Sequence, residues 1–219
     1  MEMAGPVLTG RYVRLEPLGY EHVDGLVAAS AVDPELYRWS KVPQGHDEVT
    51  GYVETALSWR DAGTAVPYAT VRVADGAVLG STRFWGLEFL PWPPGHGRHD
   101  RRDRHGRALP DAGEIGYTWL TRDAVRTAAN TEAKLLMLTL AFEDWQVLRV
   151  CFHTNVQNER SKAALGRIGG QFEGVLRTHR LAPDLSVRDS ARFSIVAAEW
   201  PQVKERLTER AQPRTASEG

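Results

Sequence analysis

Cysteine is nearly absent from this sequence, since Cys151 is the one cysteine among 219 residues. A single cysteine can build neither an intramolecular disulfide nor a thiol-rich zinc site, so Cys151 is interpreted as a small apolar residue in a buried strand. Long apolar runs are missing too, and no segment approaches the roughly 20 residues that span a bilayer. The first ten residues, "MEMAGPVLTG", lack a basic start and an apolar stretch, so no signal peptide is predicted and a cytoplasmic location is expected.

An excess of charge of either sign is also missing. The 27 Lys and Arg residues nearly balance 28 Asp and Glu residues, which leaves a formal net charge of −1. Such a balance provides no general attraction to nucleic acid or to an anionic membrane, so neither is expected as a partner. Hydrophobic residues make up 42% of the chain, an ordinary value for a globular protein with a core. No repeat or linker interrupts the chain, which predicts one domain over 1–212 and a disordered polar tail over 213–219.

Strand and helix patterns alternate along the chain, which predicts a mixed α/β fold. "RYVRLEPL" alternates polar and apolar residues as a half-buried strand does, and 66–89 forms a hairpin pattern with Asp75-Gly76 as its turn. "EIGYTWL" and "LRVCFHTN" have the composition of strands, and a helical pattern follows each of them. Residues 91–113, "PWPPGHGRHDRRDRHGRALPDAG", break this rhythm and are interpreted as a loop insertion.

The stretch "VRTAANTEAKLLML", residues 125–138, leads from the first of these strands into a long helix. A helix start has unpaired N–H groups and partial positive charge, which suit a phosphate. Small, polar or basic residues occupy this start: Arg126, Thr127, Ala128, Ala129, Asn130 and Thr131. Two interpretations remain open, a phosphate cradle and an ordinary connection whose helix is capped by an Asn or Thr side chain. Glu132 favours the second, because a carboxylate in the first turn suits the helix dipole but not a bound anion.

The second strand and its helix carry three polar residues where open α/β sheets bind ligands. Asn155 ends the strand "LRVCFHTN", Asn158 begins the next helix, and Ser161 lies one turn further along. Each residue also has a purely structural interpretation. Asn158 suits a helix cap, and Ser161 suits an exposed helical position.

Taken in order, "EIGYTWL", "NTEAKLLML", "NERS", "QFEGVLR" and "EWPQVK" resemble the GNAT acetyltransferases. The similarity is greatest to the branch that includes the ribosomal-protein N-terminal acetyltransferases, and it covers nearly the whole chain except 91–113. It implies a single domain with a central mixed, mostly antiparallel sheet, a splay between two parallel central strands, and flanking helices. It also implies transfer of an acetyl group from acetyl-CoA, without a metal, to a small-molecule or peptide amine, and a homodimer.

The resemblance assigns the coenzyme contacts. The family's pyrophosphate loop reads Gln/Arg-x-x-Gly-x-Gly/Ala, and Val125, Ala128 and Asn130 occupy the matching positions. Backbone N–H groups make most of this contact, so an alanine can replace the glycine, and 125–131 is predicted to be the cradle. The backbone of Trp119, Leu120 and Thr121 is expected to pair with the pantetheine arm and to polarise the thioester oxygen. The side chains of Asn155 and Asn158 are expected to contact the pantetheine amides.

The resemblance also suggests catalytic residues. Ser161 matches the serine of the ribosomal-protein branch and is expected to protonate the leaving thiolate, because Leu165 occupies the place of the tyrosine used by many relatives. Glu114 stands where related enzymes carry a glutamate that acts as a base through water, and Glu88 is the alternative base. A carboxylate is a poor base for an alkylammonium, so an α-amine, with a pKa near 7.7–8, is the expected substrate group.

Strict strand alternation would place Glu114 on the same face of "EIGYTWL" as Gly116 and Thr118. Tyr117 and Trp119 would then lie on the opposite face. If the face of Glu114 lines the acceptor channel, its carboxylate can hold a water molecule beside the incoming ammonium group.

Trp85, Glu88 and Trp92 are predicted to line the acceptor pocket. The insertion carries five arginines among aspartates and histidines, and it is interpreted either as an electropositive lid or as a mobile, solvated loop. Its histidines lack thiol or carboxylate partners at metal-site spacing, which argues against zinc. The altered loop and the missing tyrosine leave one alternative function, a non-catalytic module that binds acyl-CoA or a partner protein.

Overall fold

The computed structural model of the chain describes residues 5–212. Within them lie eight strands: β1 (Leu8–Thr9), β2 (Val13–Pro17), β3 (Ala65–Arg72), β4 (Val78–Glu88), β5 (Ala112–Leu120), β6 (Arg149–Asn155), β7 (Gln171–Leu181) and β8 (Val187–Val196). Five α-helices accompany them: α1 (Val23–Ala31), α2 (Gly45–Asp61), α3 (Ala129–Thr139), α4 (Glu159–Arg167) and α5 (Trp200–Ala211). The order of these elements confirms the predicted mixed α/β domain.

All eight strands form one sheet in the order β1-β2-β3-β4-β5-β6-β8-β7. Among these strands only β5 and β6 run parallel, and their pairing is limited to Ala112↔Arg149, Gly113↔Val150 and Glu114↔Cys151. Beyond these pairs the two strands separate, while β5 stays paired with β4 as far as Leu120. The predicted splay between two parallel central strands is therefore present.

Helices cover both faces of the sheet. On one face, α3 and α5 enclose a core that includes Phe84, Met137 and Phe152. On the other face, α1 and α2 enclose a second core, in which Val53 and Trp119 are buried. Burial of such side chains typically contributes about 1.5–3 kcal/mol each, so the two cores hold the sheet between its helices.

Several element boundaries differ from the predicted ones. β5 begins at Ala112, which shortens the insertion, and α3 begins at Ala129 rather than at Asn130 or Thr131. The C-terminal helix α5 continues to Ala211, within the predicted domain that ends at 212. The predicted tail over 213–219 lies outside the described residues.

The predicted faces of β5 are wrong beyond Gly116 because the strand contains a bulge. Tyr117 has a φ of 53°, and the register against β4 shifts between Ser81↔Trp119 and Arg83↔Gly116. One extra residue in a strand reverses the alternation that follows it. Tyr117 and Trp119 therefore share the α1–α2 face with Glu114, whereas Thr118 points towards α3.

Most residues of the insertion are exposed to solvent, as expected for a solvated loop, but two arginines anchor it to the domain. Arg98 and Arg101 both donate to Asp111 Oδ1, at 2.9 and 3.1 Å, and Arg101 also donates to the carbonyl of Trp145. Arg107 is held by Asp103 within the loop. Burial raises the pKa of Asp111, but hydrogen bonds that include those from both arginines outweigh it and hold this pKa below its usual value. These arginines are engaged internally, which also argues against the electropositive lid.

Cys151 is buried on β6, as its interpretation required. Each helix between residues 5 and 212 is too short or too polar to span a bilayer. The same stretch contains no group of three or more His, Cys, Asp or Glu side chains that could hold a metal ion.

Candidate active site

The cleft between β5 and β6 is the first component of the site. The N–H of Thr121 donates to the carbonyl of Leu79 on β4, so strand alternation turns the backbone of Leu120 towards the β6 side. There the carbonyl of Leu120 accepts a hydrogen bond of 3.2 Å from the Tyr37 hydroxyl. Burial raises the pKa of Tyr37 to about 12, so the phenol keeps its proton.

The start of α3 lies beside the wide end of this cleft and presents free amides. Within residues 5–212, the N–H groups of Arg126, Ala128, Asn130 and Thr131 have no hydrogen-bond acceptor. Ala128 occupies the N-cap position without a side-chain cap, although the Thr127 hydroxyl accepts from the N–H of Ala129, so the predicted Asn or Thr cap is present only in part. Open amides at a helix start, next to small side chains, suit a phosphate.

Glu132 does not oppose an anion at this position, contrary to the sequence argument. Its carboxylate leaves the helix start and accepts hydrogen bonds from the amides of Arg11, Tyr12 and Val13, at 2.7–2.8 Å. The carboxylate thereby fastens α3 to the turn between β1 and β2. The cradle segment 125–131 is thus left with the positive end of the helix dipole and the exposed Arg126.

The hydroxyl of Thr127 is already used within the loop. It donates to the carbonyl of Ala124 at 2.8 Å and accepts from the N–H of Ala129 at 3.1 Å. Thr127 therefore shapes the loop and is not available as a phosphate donor.

On the β6 side of the cleft, Asn155 and Asn158 are both buried. Their side-chain oxygens accept local hydrogen bonds, from the amides of Gln157 and Ser161 respectively, at 2.9 and 3.0 Å. Each oxygen is satisfied locally, and each NH₂ group is left without a protein acceptor among the described residues. These two NH₂ groups and the Ser161 hydroxyl are the donors that this side offers to a ligand.

Glu114 is the buried carboxylate at the narrow end of the cleft, in the last residue pair between β5 and β6. Its Oε2 accepts from His153 Nδ1 at 2.8 Å and from Arg180 Nη2 at 2.7 Å. Burial raises the pKa of Glu114, but the hydrogen bonds from His153 and Arg180 outweigh it and hold the pKa below its usual value. The carboxylate is therefore ionised and firmly paired.

Two histidines adjoin this carboxylate. The rings of His153 on β6 and His179 on β7 lie 4.9 Å apart between centroids. His153 Nε2 and His179 Nδ1 are buried without a hydrogen-bond partner in the described part of the chain. Burial and the nearby charge of Arg180 lower the pKa of His179, which favours its neutral form.

A cluster of aromatic rings and guanidinium groups, named the aromatic pocket here, adjoins Glu114 on the α1–α2 face. Arg83 is 1% exposed, and its guanidinium lies 4.5 to 5.3 Å from the ring centroids of Tyr52, Trp59 and Tyr117. Its Nε and Nη2 atoms have no acceptor within residues 5–212. Because buried charges are normally paired, Arg83 is poised for an anionic group of a ligand.

Of the three residues predicted to line the acceptor pocket, Trp85 alone joins it. Trp85 lies opposite Glu114 on β4, its ring stacks on Trp59, and the Arg180 guanidinium lies 4.6 Å from its centroid. Trp92 instead stacks on His96 within the insertion. Glu88 is exposed at the end of β4 and makes a long contact with Arg149.

The sequence argument missed most side chains of the pocket, namely Trp59, Arg83, Tyr117, His153, His179, Arg180 and Arg188. Two of these residues could have been noticed in the sequence. Arg83 interrupts an otherwise neutral strand pattern in "GSTRFWG", and His153 precedes Asn155 by two residues on the same strand face.

An α/β sheet that opens between two parallel strands, beside a helix start with free amides and a cluster of titratable side chains, suits a phosphate-bearing ligand and proton transfer. The family comparison identifies the class of enzyme. The model of the acetyltransferase (GNAT) domain matches residues 13–171, so the chain belongs to the GNAT acetyltransferases. Acetyl-CoA-dependent N-acetyl transfer is its reaction class, and the predicted family is confirmed.

Solved structures agree with this assignment. A candidate acetyltransferase from T. thermophilus is 31% identical, with 96% of this chain and 99% of that chain covered and a TM-score of 0.74. A GCN5-related N-acetyltransferase from Brucella melitensis is 28% identical, with coverages of 95% and 86% and a TM-score of 0.75. RimJ of Mycobacterium smegmatis, solved with CoA-disulfide, shares the fold at 20% identity, with coverages of 94% and 93% and a TM-score of 0.70. No curated protein matches the chain in sequence.

Proposed function

We propose that this protein transfers the acetyl group of acetyl-CoA to a primary α-amine, of a peptide N-terminus or of a small aminoacyl compound. Transfer takes place by direct attack in a ternary complex. The main observation in support of the proposal is the position of Glu114. There the cleft between β5 and β6 begins, and the aromatic pocket meets it from the α1–α2 face.

The cradle segment 125–131 and the cleft fit the coenzyme. Free amides at the start of α3 would hold the pyrophosphate, and Val125 begins this segment with an extended backbone. The backbone of Trp119, Leu120 and Thr121, of which Leu120 faces the β6 side, and the NH₂ groups of Asn155 and Asn158 would hold the pantetheine arm. The thioester would then lie near the bulge, at the mouth of the pocket.

The charges of the pocket favour an α-amine over a lysine side chain. Arg83 and Arg180 lie near Tyr117 together with Glu114, and Arg188 lies near Glu114, so guanidinium groups outnumber carboxylates here among the described residues. Positive surroundings lower the pKa of a bound amine. An α-amine starts near 7.7–8 and needs little further help, whereas a lysine amine starts near 10.4. The excess of guanidinium groups also suits an acceptor that carries a carboxylate close to its amine.

Two side chains have proposed roles in proton transfer. Ser161 would protonate the leaving thiolate, directly or through water, which is supported by its free hydroxyl and by the burial of Leu165 in the core beneath α4. Glu114 remains the proposed carboxylate of the base. Its ion pair with Arg180 and its lowered pKa support a role in orienting a neighbour rather than in taking the proton alone. The cytoplasmic location and the homodimer remain predictions.

The test measures thiol release from acetyl-CoA in the presence of matched amines, with mass spectrometry of the products. The panel contains a short peptide with a free α-amine, the same peptide with a blocked N-terminus and a free lysine, and small aminoacyl compounds with and without a carboxylate. We expect thiol release with free α-amines and a product heavier by one acetyl group. Tight acetyl-CoA binding without amine-dependent thiol release would instead support a non-catalytic module.

A further inference from the structure

His153 lies where the two parallel strands separate. The last residue pair between β5 and β6 is Glu114↔Cys151, and His153 is two residues further along β6. Alternation places its side chain on the face of Cys151, towards Glu114 and the aromatic pocket. An acceptor that reaches the cleft from this pocket would approach the thioester beside the imidazole.

The hydrogen bond with Glu114 determines which ring nitrogen carries the proton. An ionised carboxylate only accepts hydrogen bonds, so His153 Nδ1 must be the donor in the 2.8 Å contact with Glu114 Oε2. In a neutral ring, Nε2 then holds a free lone pair. That atom is buried without a partner among the described residues, an unfavourable arrangement that a ligand N–H would relieve.

We propose that His153 is the proton acceptor of the transfer reaction and that Glu114 is its positioning residue. This inference rests on the proposed function and assigns the base that the reaction needs. Arg180 contributes by holding the Glu114 carboxylate in place, since it donates to both carboxylate oxygens, at 3.2 and 2.7 Å. The arrangement is a carboxylate–imidazole pair in which the carboxylate sets the tautomer and orientation of the ring.

The proton and electron balance is simple. An N–H bond of the acceptor ammonium breaks, its electron pair stays on nitrogen, and the proton binds His153 Nε2. The nitrogen lone pair forms the bond to the thioester carbonyl carbon, and the C–S bond breaks with its electrons on sulfur. A second proton leaves the nitrogen and goes to the thiolate, through Ser161 under the proposed function. The imidazolium then returns its proton to solvent.

The other groups around the ring do not replace Glu114 in this role. Titratable or charged side chains from three strands lie in its neighbourhood: Glu114 and Tyr117 on β5, His179 and Arg180 on β7, and Arg188 and Arg192 on β8. In the part of the chain that the structure describes, only Glu114 bonds to the imidazole of His153. His179 has no such carboxylate partner within residues 5–212, so nothing equivalent directs its tautomer.

The kinetic test compares the wild type with H153A, H153Q, E114Q and H179A, and with H46Q as the matched control on an exposed histidine of α2. We expect kcat/KM of H153A and H153Q to fall about 10²–10³-fold, within the usual contribution of a general base. The wild-type to variant ratio should be largest below the pKa of the acceptor amine and should shrink as pH approaches it. Added imidazole should restore part of the activity of H153A, and the Kd for acetyl-CoA should stay unchanged.

A ratio that is constant with pH, together with no rescue of H153A, would overturn the proposal and leave His153 with a structural role. Rescue of H179A alone would move the base to His179. A second measurement requires no turnover. Nitrogen-15 NMR of the full chain should show the Nδ1-protonated tautomer of His153 in the wild type and its loss in E114Q. If the wild type acetylates no amine, the proposed function fails, while this NMR result still decides the assignment, because an Nε2-protonated ring would contradict it.

Discussion

The proposed coenzyme cleft and the proposed acceptor pocket meet at Glu114 but are built from different groups. The cleft, with the cradle segment 125–131, presents backbone amides and carbonyls. The pocket on the α1–α2 face presents side chains, and several of them, Arg83 and His153 included, have buried nitrogen atoms without partners in the described residues.

Under the proposed function, this difference explains how the segment 125–131 can serve as a cradle despite its altered loop sequence. Backbone amides can bind a phosphate next to many different side chains. The requirements are that these side chains are small and that the amides at the helix start stay free. A pocket built from side chains does not tolerate such substitutions, because each charge or lone pair is contributed by one residue. Substitutions in the cleft should therefore act through the size of the new side chain. Substitutions in the pocket should act through the charge or hydrogen-bonding group that is lost.

The largest expected effect tests the size rule in the cleft. Ala128→Ile places a β-branched side chain at the helix start with its four free amides, and it should raise the Kd for acetyl-CoA about 100-fold. Loss of two charge-assisted hydrogen bonds, at about 1.5 kcal/mol each, corresponds to such a change. Ala31→Ile, on an exposed helical position, is the control. Calorimetric titration measures both, and an unchanged Kd for the 128 variant would remove the cradle from this segment.

The next effect tests the chemistry rule in the pocket. Arg83→Met keeps an apolar stem between Tyr52 and Tyr117 but removes the unpaired charge. We expect kcat/KM to fall about 10–100-fold for an acceptor with a carboxylate and to change little for its neutral amide, because one charge-assisted hydrogen bond is lost. Arg38→Met, which removes an exposed cation over Trp39, is the matched control. Equal losses for both acceptors would show that Arg83 only supports the fold.

A smaller effect is expected where the cleft and the pocket meet. Ser161→Ala should lower kcat about tenfold, below the usual range for a general acid because a water molecule can replace the hydroxyl. The Kd for acetyl-CoA should change little, while Ser58→Ala on the exposed surface of α2 serves as the control. Weaker binding with an unchanged kcat would make Ser161 a positioning residue.

The smallest expected effect is on the free energy of unfolding and concerns Lys134 on α3. Lys134 donates to Thr118 and Thr82 at 2.8 and 3.1 Å, and burial lowers its pKa to about 7. The unfolded chain therefore binds one more proton than the folded chain between about pH 7 and 10, so the free energy of unfolding should rise with pH there. Lys134→Met should remove this rise, so the variant should gain most over the wild type at neutral pH.

Denaturant unfolding at several pH values measures this difference. The two threonine hydroxyls lie 2.8 Å apart and can satisfy each other in the variant. A difference between the two proteins that does not change with pH would show that Lys134 is charged in the folded state.

Sequence patterns predicted the elements of this protein because hydrophobic periodicity is a local property. They located both strands of the cleft, the helix after each strand, and Asn155 and Asn158, whose positions follow from the ends of those elements. The family resemblance added the cradle segment 125–131 and the coenzyme. None of these predictions depends on contacts between distant segments of the chain.

Only the tertiary structure decided how the acceptor pocket is built. The partners of Glu114 are 39 and 66 residues away, and the amides that hold Glu132 are about 120 residues away, so strand order and register bring each set together. The bulge at Tyr117 then reversed the faces of β5 and moved an aromatic ring beside Arg83. A register shift of one residue is invisible to an alternating pattern, because it arises from packing against neighbouring strands rather than from the strand's own sequence.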